Sequence, residues 1–512
     1  MHPQHPARGD WSSTRSRHPV PCGAAYRLYM DAREWTGSWW LPLDENKQVS
    51  GTLRFDPNDG ISLELFDTLA SDGDPLSRLL TNEERREPVI HGVTHQSMEV
   101  TLLDAMVVSQ SSSQSKWRTE KEGWTARRAV LGIHVGSADT LTLNELSLSL
   151  DGLRSWGGRA PIEVTREDTP TLKWVQPERQ VAEWAGVAIE MRHGHAIGWD
   201  PDSATLRDDL TIQVSLTEGI PLDALMSEYL QPLRNLASFV LDDAAFLRYV
   251  GCRGVSAPGY RRGPDADQGE SRMDLIPIEL LFDQIGRRRA TSRERPLFTL
   301  DDGPVSFDEL VTRWMAISKQ GDLGSVLSQF FGLTFAPPEF TEVRFVALVH
   351  AMEEYHRRRV GGTAMPSNDF DARRERILDA LGESNKVTRK DRKWLNGKFN
   401  RLNDLSLADR IRELVQSRQQ SMESLIGDPA QFAERVATTR NFLSHGEESL
   451  SGRAASGLEI FFLERSLRQL FVALLLAEVG ASDEGITSIL SRNDWHRWVV
   501  EKTRDYGWAQ GR

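Results

Sequence analysis

The stretch DPAQFAERVATTRNFLSHG, Asp428 to Gly446, decides the reading of the C-terminal third of the chain. Aspartate followed by proline marks a helix start: the carboxylate caps the first free amides, and proline sits where its missing N–H costs nothing. Gly446 supplies the residue on which helices commonly end in a left-handed turn. The next long segment, LEIFFLERSLRQLFVALLLAEV from Leu458 to Val479, is apolar enough to be buried. It carries Glu459, Glu464, Arg465, Arg468 and Glu478, too many charges for a membrane span, and reads as a core helix.

Working upstream, EVRFVALVHAMEEYHRRR places Phe345, Leu348, Val349 and Met352 on one helical face. A second helix is expected around ARRERILDALG. A third begins at Ser406 as N-cap, with Leu407, Ile411, Leu414 and Val415 as its stripe. Paired prolines in APPEF, Ala336 to Phe340, mark the boundary, so residues 336–512 are expected to form an all-α bundle.

The N-terminal half follows a different period. In TLRFDPNDGISLEL, Leu53 and Phe55 alternate with polar residues, DPNDG turns the chain, and Ile61, Leu63 and Leu65 alternate again, which predicts a hairpin with one buried face. Period-two runs recur at Leu131/Ile133/Val135, Leu146/Leu148/Leu150, Val187/Ile189/Met191 and Ile212/Val214/Leu216. The expected fold is therefore α+β and multidomain: a β-sandwich or partly open barrel, then the helical bundle. Residues 1–25 are expected to be a disordered leader without a signal-peptide core. Residues 26–335 form the first domain, β-rich to about residue 216, then helical, with a surface loop at 259–272.

With 512 residues, 39% apolar and 27% charged, the chain has the composition of a globular protein. Cys22 and Cys252 are its only cysteines, which excludes a disulfide framework and fits a reducing cytoplasm. A net charge of −12 excludes a nonspecific nucleic-acid coat and requires any polyanion-binding surface to be local.

The helix that opens this reading ends in Arg440, Asn441 and, four residues on, His445. Arginine offers a permanently charged planar fork for phosphate, histidine titrates near neutrality, and an amide can orient phosphate or sugar. Arg–His spacings of this kind recur at Arg86/His91, Arg128/His134 and Arg344/His350, so spacing alone carries little. A surface ion-pairing arginine and a histidine at a helix C-cap would also account for the pair. Residues five apart point roughly 140° from each other on an ideal helix. Either the helix loosens before Gly446, or the two residues serve different parts of a cleft.

The helix end, its asparagine and its terminating glycine resemble the HEPN superfamily, whose ribonuclease members carry R-N-x-x-x-H and pair as dimers. REWTGSWWLP and VSGTLRFDPNDGISLELF, Arg33 to Phe66, are similar to the start of ApeA-type anti-phage proteins, and VHAMEEYHR is similar to a segment of their HEPN domain. The resemblance implies an abortive-infection endoribonuclease that acts on host RNA such as tRNA when a phage protein meets the N-terminal domain. Its site residues would be Arg440, Asn441 and His445. It further implies a homodimer or higher oligomer, no membrane partner and no cofactor or metal. A non-catalytic dimerisation scaffold with a ligand-binding N-terminal domain is the alternative.

Glu353 and His356 form an E-x-x-H pair of the kind used in metal sites of helix bundles, but no second copy accompanies it. With Glu354 they are candidate supporting residues for the cleft, Glu353 or Glu354 by an ion pair to Arg440, although pairing within their own helix would equally explain them. The basic stretch NKVTRKDRKWLNGKFNR offers Lys390, Arg392, Lys393 and Lys398 for phosphates and Trp394 and Phe399 for bases, or simply a solvated face. His193/His195 and His91/His95 lack further ligands and read as surface histidines. Trp35 and Trp39 share one strand face and Trp40 takes the other.

Overall fold

The computed structural model describes residues 32–69, 85–112, 120–158, 161–166, 171–200, 202–255, 276–282, 295–336, 340–382, 387–399 and 402–510. The expected leader, the loop at 259–272, Cys22, Lys386 and Arg401 lie outside the described residues.

The hairpin predicted from Thr52 to Leu65 is present as β2 (Val49–Asp56) and β3 (Gly60–Leu65), turning through Gly60. Leu53, Phe55, Ile61 and Leu63 are buried, while Arg54 faces solvent between Glu34 and Glu64. With β1 (Arg33–Trp40), β4 (Arg86–Thr94), β5 (Glu99–Ser112) and β6 (Glu120–Leu131), the two strands close a six-stranded antiparallel barrel in the order β6-β3-β2-β1-β4-β5, β5 returning to β6. Trp39, Trp124 and Phe55 fill it. Glu122 is buried among them because donors surround it: Trp124 Nε1, Leu69 N, Arg85 Nη1 and Gln110 Nε2 all donate to its carboxylate at 3.0–3.1 Å. Trp40, on the opposite strand face, packs edge-on against the stacked imidazoles of His91 and His134.

The sheet does not stop at the barrel. The far half of β6 pairs with β14 (Ile276–Phe282), and the sheet continues through β13 (Leu247–Val255), β7 (Thr142–Leu150), β12 (Ser203–Pro221), β11 (Val187–Asp200) and β10 (Gln180–Trp184). A small separate hairpin, β8 (Ile162–Thr165) and β9 (Thr171–Trp174), lies beside it. The expectation that β structure ends near residue 216 is thus corrected: β12 runs to Pro221, and β13 and β14 rejoin the sheet after a helix. Their period is weak in the sequence because Gly251, Gly254 and Pro277 interrupt the apolar residues of two otherwise central strands.

β11 and β12 outrun their neighbours. β10 pairs with β11 only up to Met191, and β7 meets β12 from Ile212 onward, so residues 192–200 and 203–211 pair only with each other. This two-stranded arm exposes Ile197 and Trp199, the latter 80% accessible. At its base Trp174 packs on His195, and His193 Nδ1 donates to Asp208 Oδ1 at 3.0 Å, beside Arg154.

The helical layer comprises α1 (Gln231–Leu241), α2 (Phe307–Ile317), α3 (Gly324–Phe335), α4 (Thr341–Arg359), α5 (Ser367–Gly382), α6 (Arg389–Phe399), α7 (Leu407–Ser417), α8 (Pro429–His445), α9 (Leu458–Glu478), α10 (Asp483–Arg492) and α11 (Asp494–Thr503). Ser406 caps α7 by accepting from Asp409 N, and Asp428 caps α8 by accepting from Ala430 N and Gln431 N. The apolar run from Leu458 is α9, the bundle's central helix. Among the described residues no helix is long and apolar enough to cross a membrane.

The two halves share one hydrophobic core. α1, almost wholly buried, belongs to the N-terminal half but packs on helices: Trp314 of α2 stacks on Phe239 and donates from Nε1 to Pro232 O at 2.8 Å. Arg234 donates to Ala245 O and lies 3.8 Å from the Phe335 ring centre, its guanidinium pushed down to about 10 by burial. α1 ends on Asp242 in the left-handed conformation, and Asp242 accepts from Arg468 Nη2 at 2.9 Å in the middle of α9. Neighbouring Gln469 holds His496 through Oε1, 3.1 Å from Nδ1, and burial depresses His496 to about 4.

Asp242→Asn keeps the left-handed backbone but strands Arg468 in the core, and should cost about 3 kcal/mol of stability by urea unfolding. Adding Arg468→Met should recover most of that loss. His496 is neutral when folded down to about pH 4, whereas an unfolded histidine gains its proton near 6.5. The unfolded state therefore binds the extra proton within that window, and stability falls as pH drops through it, by at most roughly 3 kcal/mol. His496→Gln should flatten this part of the pH profile.

Candidate active site

α8 carries the candidate residues at its exposed end. The helix is regular through His445, and Gly446 closes it at φ 63° with its N–H bonded to Phe442 O. No loosening brings Arg440 and His445 onto one face. Asn441 and His445, four apart, do share a face, roughly 40° from each other, and Arg440 reaches Asn441. Its Nη1 donates to Asn441 Oδ1 at 3.0 Å. Asn441 thereby orients the arginine, a role the sequence did not suggest, and keeps its amide N–H donors for another group. Arg440 and Asn441 are half-buried and His445 is exposed.

The connection after Gly446 folds back on α8. Thr439, fully buried, donates to Arg435 O at 2.7 Å and accepts from Ala455 N at 2.9 Å. Arg435 grips both carboxylate oxygens of Glu459 at 2.7 and 2.5 Å and donates to Arg453 O. Neither residue was among the sequence candidates, although the i,i+4 line Arg435–Thr439 leading toward Gly446 was there to be read.

The supporting residues expected on α4 do not reach Arg440. Glu353 pairs with Arg357 at 2.8 Å. Glu354 accepts from Ser325, Gln329 and Arg358, which hold its carboxyl below the usual range, the Ser325 hydroxyl first. His356 is fully buried between Glu413 Oε2 at 2.7 Å and Arg410 Nη1 at 3.0 Å. The correction has a simple cause: these side chains find closer partners on α3, α7 and their own helix. The other Arg–His spacings separate likewise, since Arg344 turns to Leu333 O and Glu464 while His350 meets Gln329.

The basic stretch is α6, paired with α5. Lys390, Lys393, Trp394 and Lys398 lie on its exposed face, with Trp394 63% accessible and the Lys398 ammonium 5.9 Å from its ring centre. Arg392 sits half-buried on the other side, and Phe399 is buried against Phe370. Phe399 is therefore a packing residue and not a base-stacking one.

A curled antiparallel β domain fused through a common core to a helical bundle, with Arg-Asn-x-x-x-His closing an exposed helix, defines a two-domain HEPN-containing protein. Two family models agree: ApeA N-terminal domain 1 matches residues 34–314, more than half of the chain, and Apea-like HEPN matches residues 346–485. The chain belongs to the ApeA family of HEPN-containing anti-phage proteins. No match is found among curated proteins or solved structures.

Proposed function

We propose that this protein is a metal-independent endoribonuclease that cleaves host RNA, tRNA in particular, once its N-terminal domain meets a phage protein. The observation that carries the reading is the end of α8, where Asn441 holds Arg440 and shares a helix face with exposed His445. The reaction removes the proton of a ribose 2′-OH, forms a bond from that oxygen to phosphorus, and breaks the bond to the 5′-oxygen, which takes up a proton. The products are a 2′,3′-cyclic phosphate and a 5′-hydroxyl. Arg440 stabilises the charge that builds on the phosphoryl oxygens, and His445 handles a proton.

One helix end supplies one histidine, while the reaction uses both a base and an acid. A homodimer with two-fold symmetry brings a second copy of the same end to the cleft, and the roughly 140° between Arg440 and His445 suits residues that serve different sides of it. Single-stranded loops give RNA the freedom to align its 2′-oxygen for attack, which favours tRNA loops over duplex. On the N-terminal side, the arm bearing exposed Ile197 and Trp199 supports a polypeptide trigger, because apolar tips of this kind mark contact surfaces.

With purified dimer, end-labelled tRNA and lysate from infected cells, cleavage should persist in EDTA. His445→Ala and Arg440→Ala should each lower it by about 10² or more. Full activity in either folded variant defeats the reading. Lys390, Lys393 and Lys398 share the exposed face of α6, so changing all three to Gln should reduce the slope of log affinity against log salt by about 2 for single-stranded RNA, whereas Arg392→Gln leaves it unchanged.

A further inference from the structure

We propose that Thr439 and Arg435 are positioning residues that hold the chain reversal presenting His445, so that cleavage depends on two bonds lying outside the cleft. The inference rests on the ribonuclease reading of the α8 end.

Successive helical positions advance by about 100°, so Arg435, Thr439 and Gly446 fall along one ridge of α8. Arg440 lies to one side of that ridge, and Asn441 and His445 lie to the other. The connection from Gly446 to Gly457 leaves at the top of the ridge and runs back down it. Its return is fixed twice. Ala455 N–H meets the hydroxyl of Thr439, and the first turn of α9, through Glu459, meets the guanidinium of Arg435. Arg435 also binds Arg453 O, and the Thr439 hydroxyl closes the circuit onto Arg435 O.

The consequence lies in where His445 sits. It is the last helical residue before the left-handed Gly446, exposed, with no side-chain hydrogen bond to other described residues. Its imidazole position is set by the backbone, namely the end of the helix and the direction in which the chain leaves. Releasing the strap lets the last turn fray and the connection swing, moving His445 relative to Arg440, whose own partner Asn441 is untouched. The packing beneath remains, because Phe432, Val436 and the α9 face are buried independently of the strap. The transition state requires the histidine in place, whereas binding of RNA draws on other cations. The proposed signature is therefore a loss in kcat with KM retained.

Thr439→Val removes the hydroxyl at nearly constant volume, and Glu459→Gln weakens the fork. In the activated full-length dimer each should lower kcat for tRNA cleavage about tenfold or more, with KM and melting temperature close to wild type. Thr439→Ser should restore the rate, as should the reversed pair Arg435→Glu with Glu459→Arg. Hydrogen exchange gives a readout independent of activity: amides from Glu447 to Ala455 should exchange at least about tenfold faster in Thr439→Val, with α4 unchanged. Wild-type kcat in Thr439→Val, or a rate loss that Thr439→Ser does not repair, overturns the proposal. Unchanged exchange in that segment overturns it as well. A wild-type dimer that never cleaves RNA defeats the ribonuclease reading instead, and the exchange comparison then decides whether the strap exists.

Discussion

The ion pair between Asp242 and Arg468 is the contact on which the arrangement of the two halves depends. It joins the end of a helix inserted between strands β12 and β13 to the centre of the bundle's longest helix, and both side chains are almost fully withdrawn from water. A buried ion pair of this kind adds little net stability against apolar replacements, but it tolerates only one alignment of its partners. Around it, Arg234 on Phe335, Trp314 on Phe239 and Phe246 on Phe335 extend the same junction. The β domain and the bundle therefore meet through a core and not through a linker, and movement in one must be accommodated by the other.

That coupling extends from the junction to the candidate site. α9 carries Arg468 at its middle and Glu459 at its start, and Glu459 grips Arg435 on the helix that ends in His445. A single rigid helix thus connects the junction with the N-terminal half to the strap beside the candidate site. Rigid elements shared by two sites are the means by which a change at one can bias the other.

The local chemistry of α8 was open to reading in the residues alone. Asp428-Pro429 and Gly446 bracket the helix because capping and left-handed termination are short-range effects, and the Leu53/Phe55 hairpin follows from a period of two with its turn. Most of what escaped has its cause far off in the chain. β13 and β14, by contrast, were missed because Gly251, Gly254 and Pro277 interrupt their apolar period, although Cys252 and Ile278 are buried and Arg253 and Pro277 exposed. Glu353 and Glu354 meet Arg357 and Arg358 in place of Arg440, and His356 is taken by Glu413, because those partners lie closer in space. Phe399 looked like a base-stacking residue until Phe370 was found against it.

By itself, then, the sequence determined the periods, the caps and the identity of the groups at the helix end, since each depends on neighbours within a turn or a strand pair. Tertiary structure decided which of those groups face one another. The closure of six strands into a barrel, the gripping of Arg435 by Glu459 and the burial of Asp242 against Arg468 depend on contacts between distant segments. Such contacts leave no periodic trace, because burial and pairing between remote residues are settled only when the chain packs.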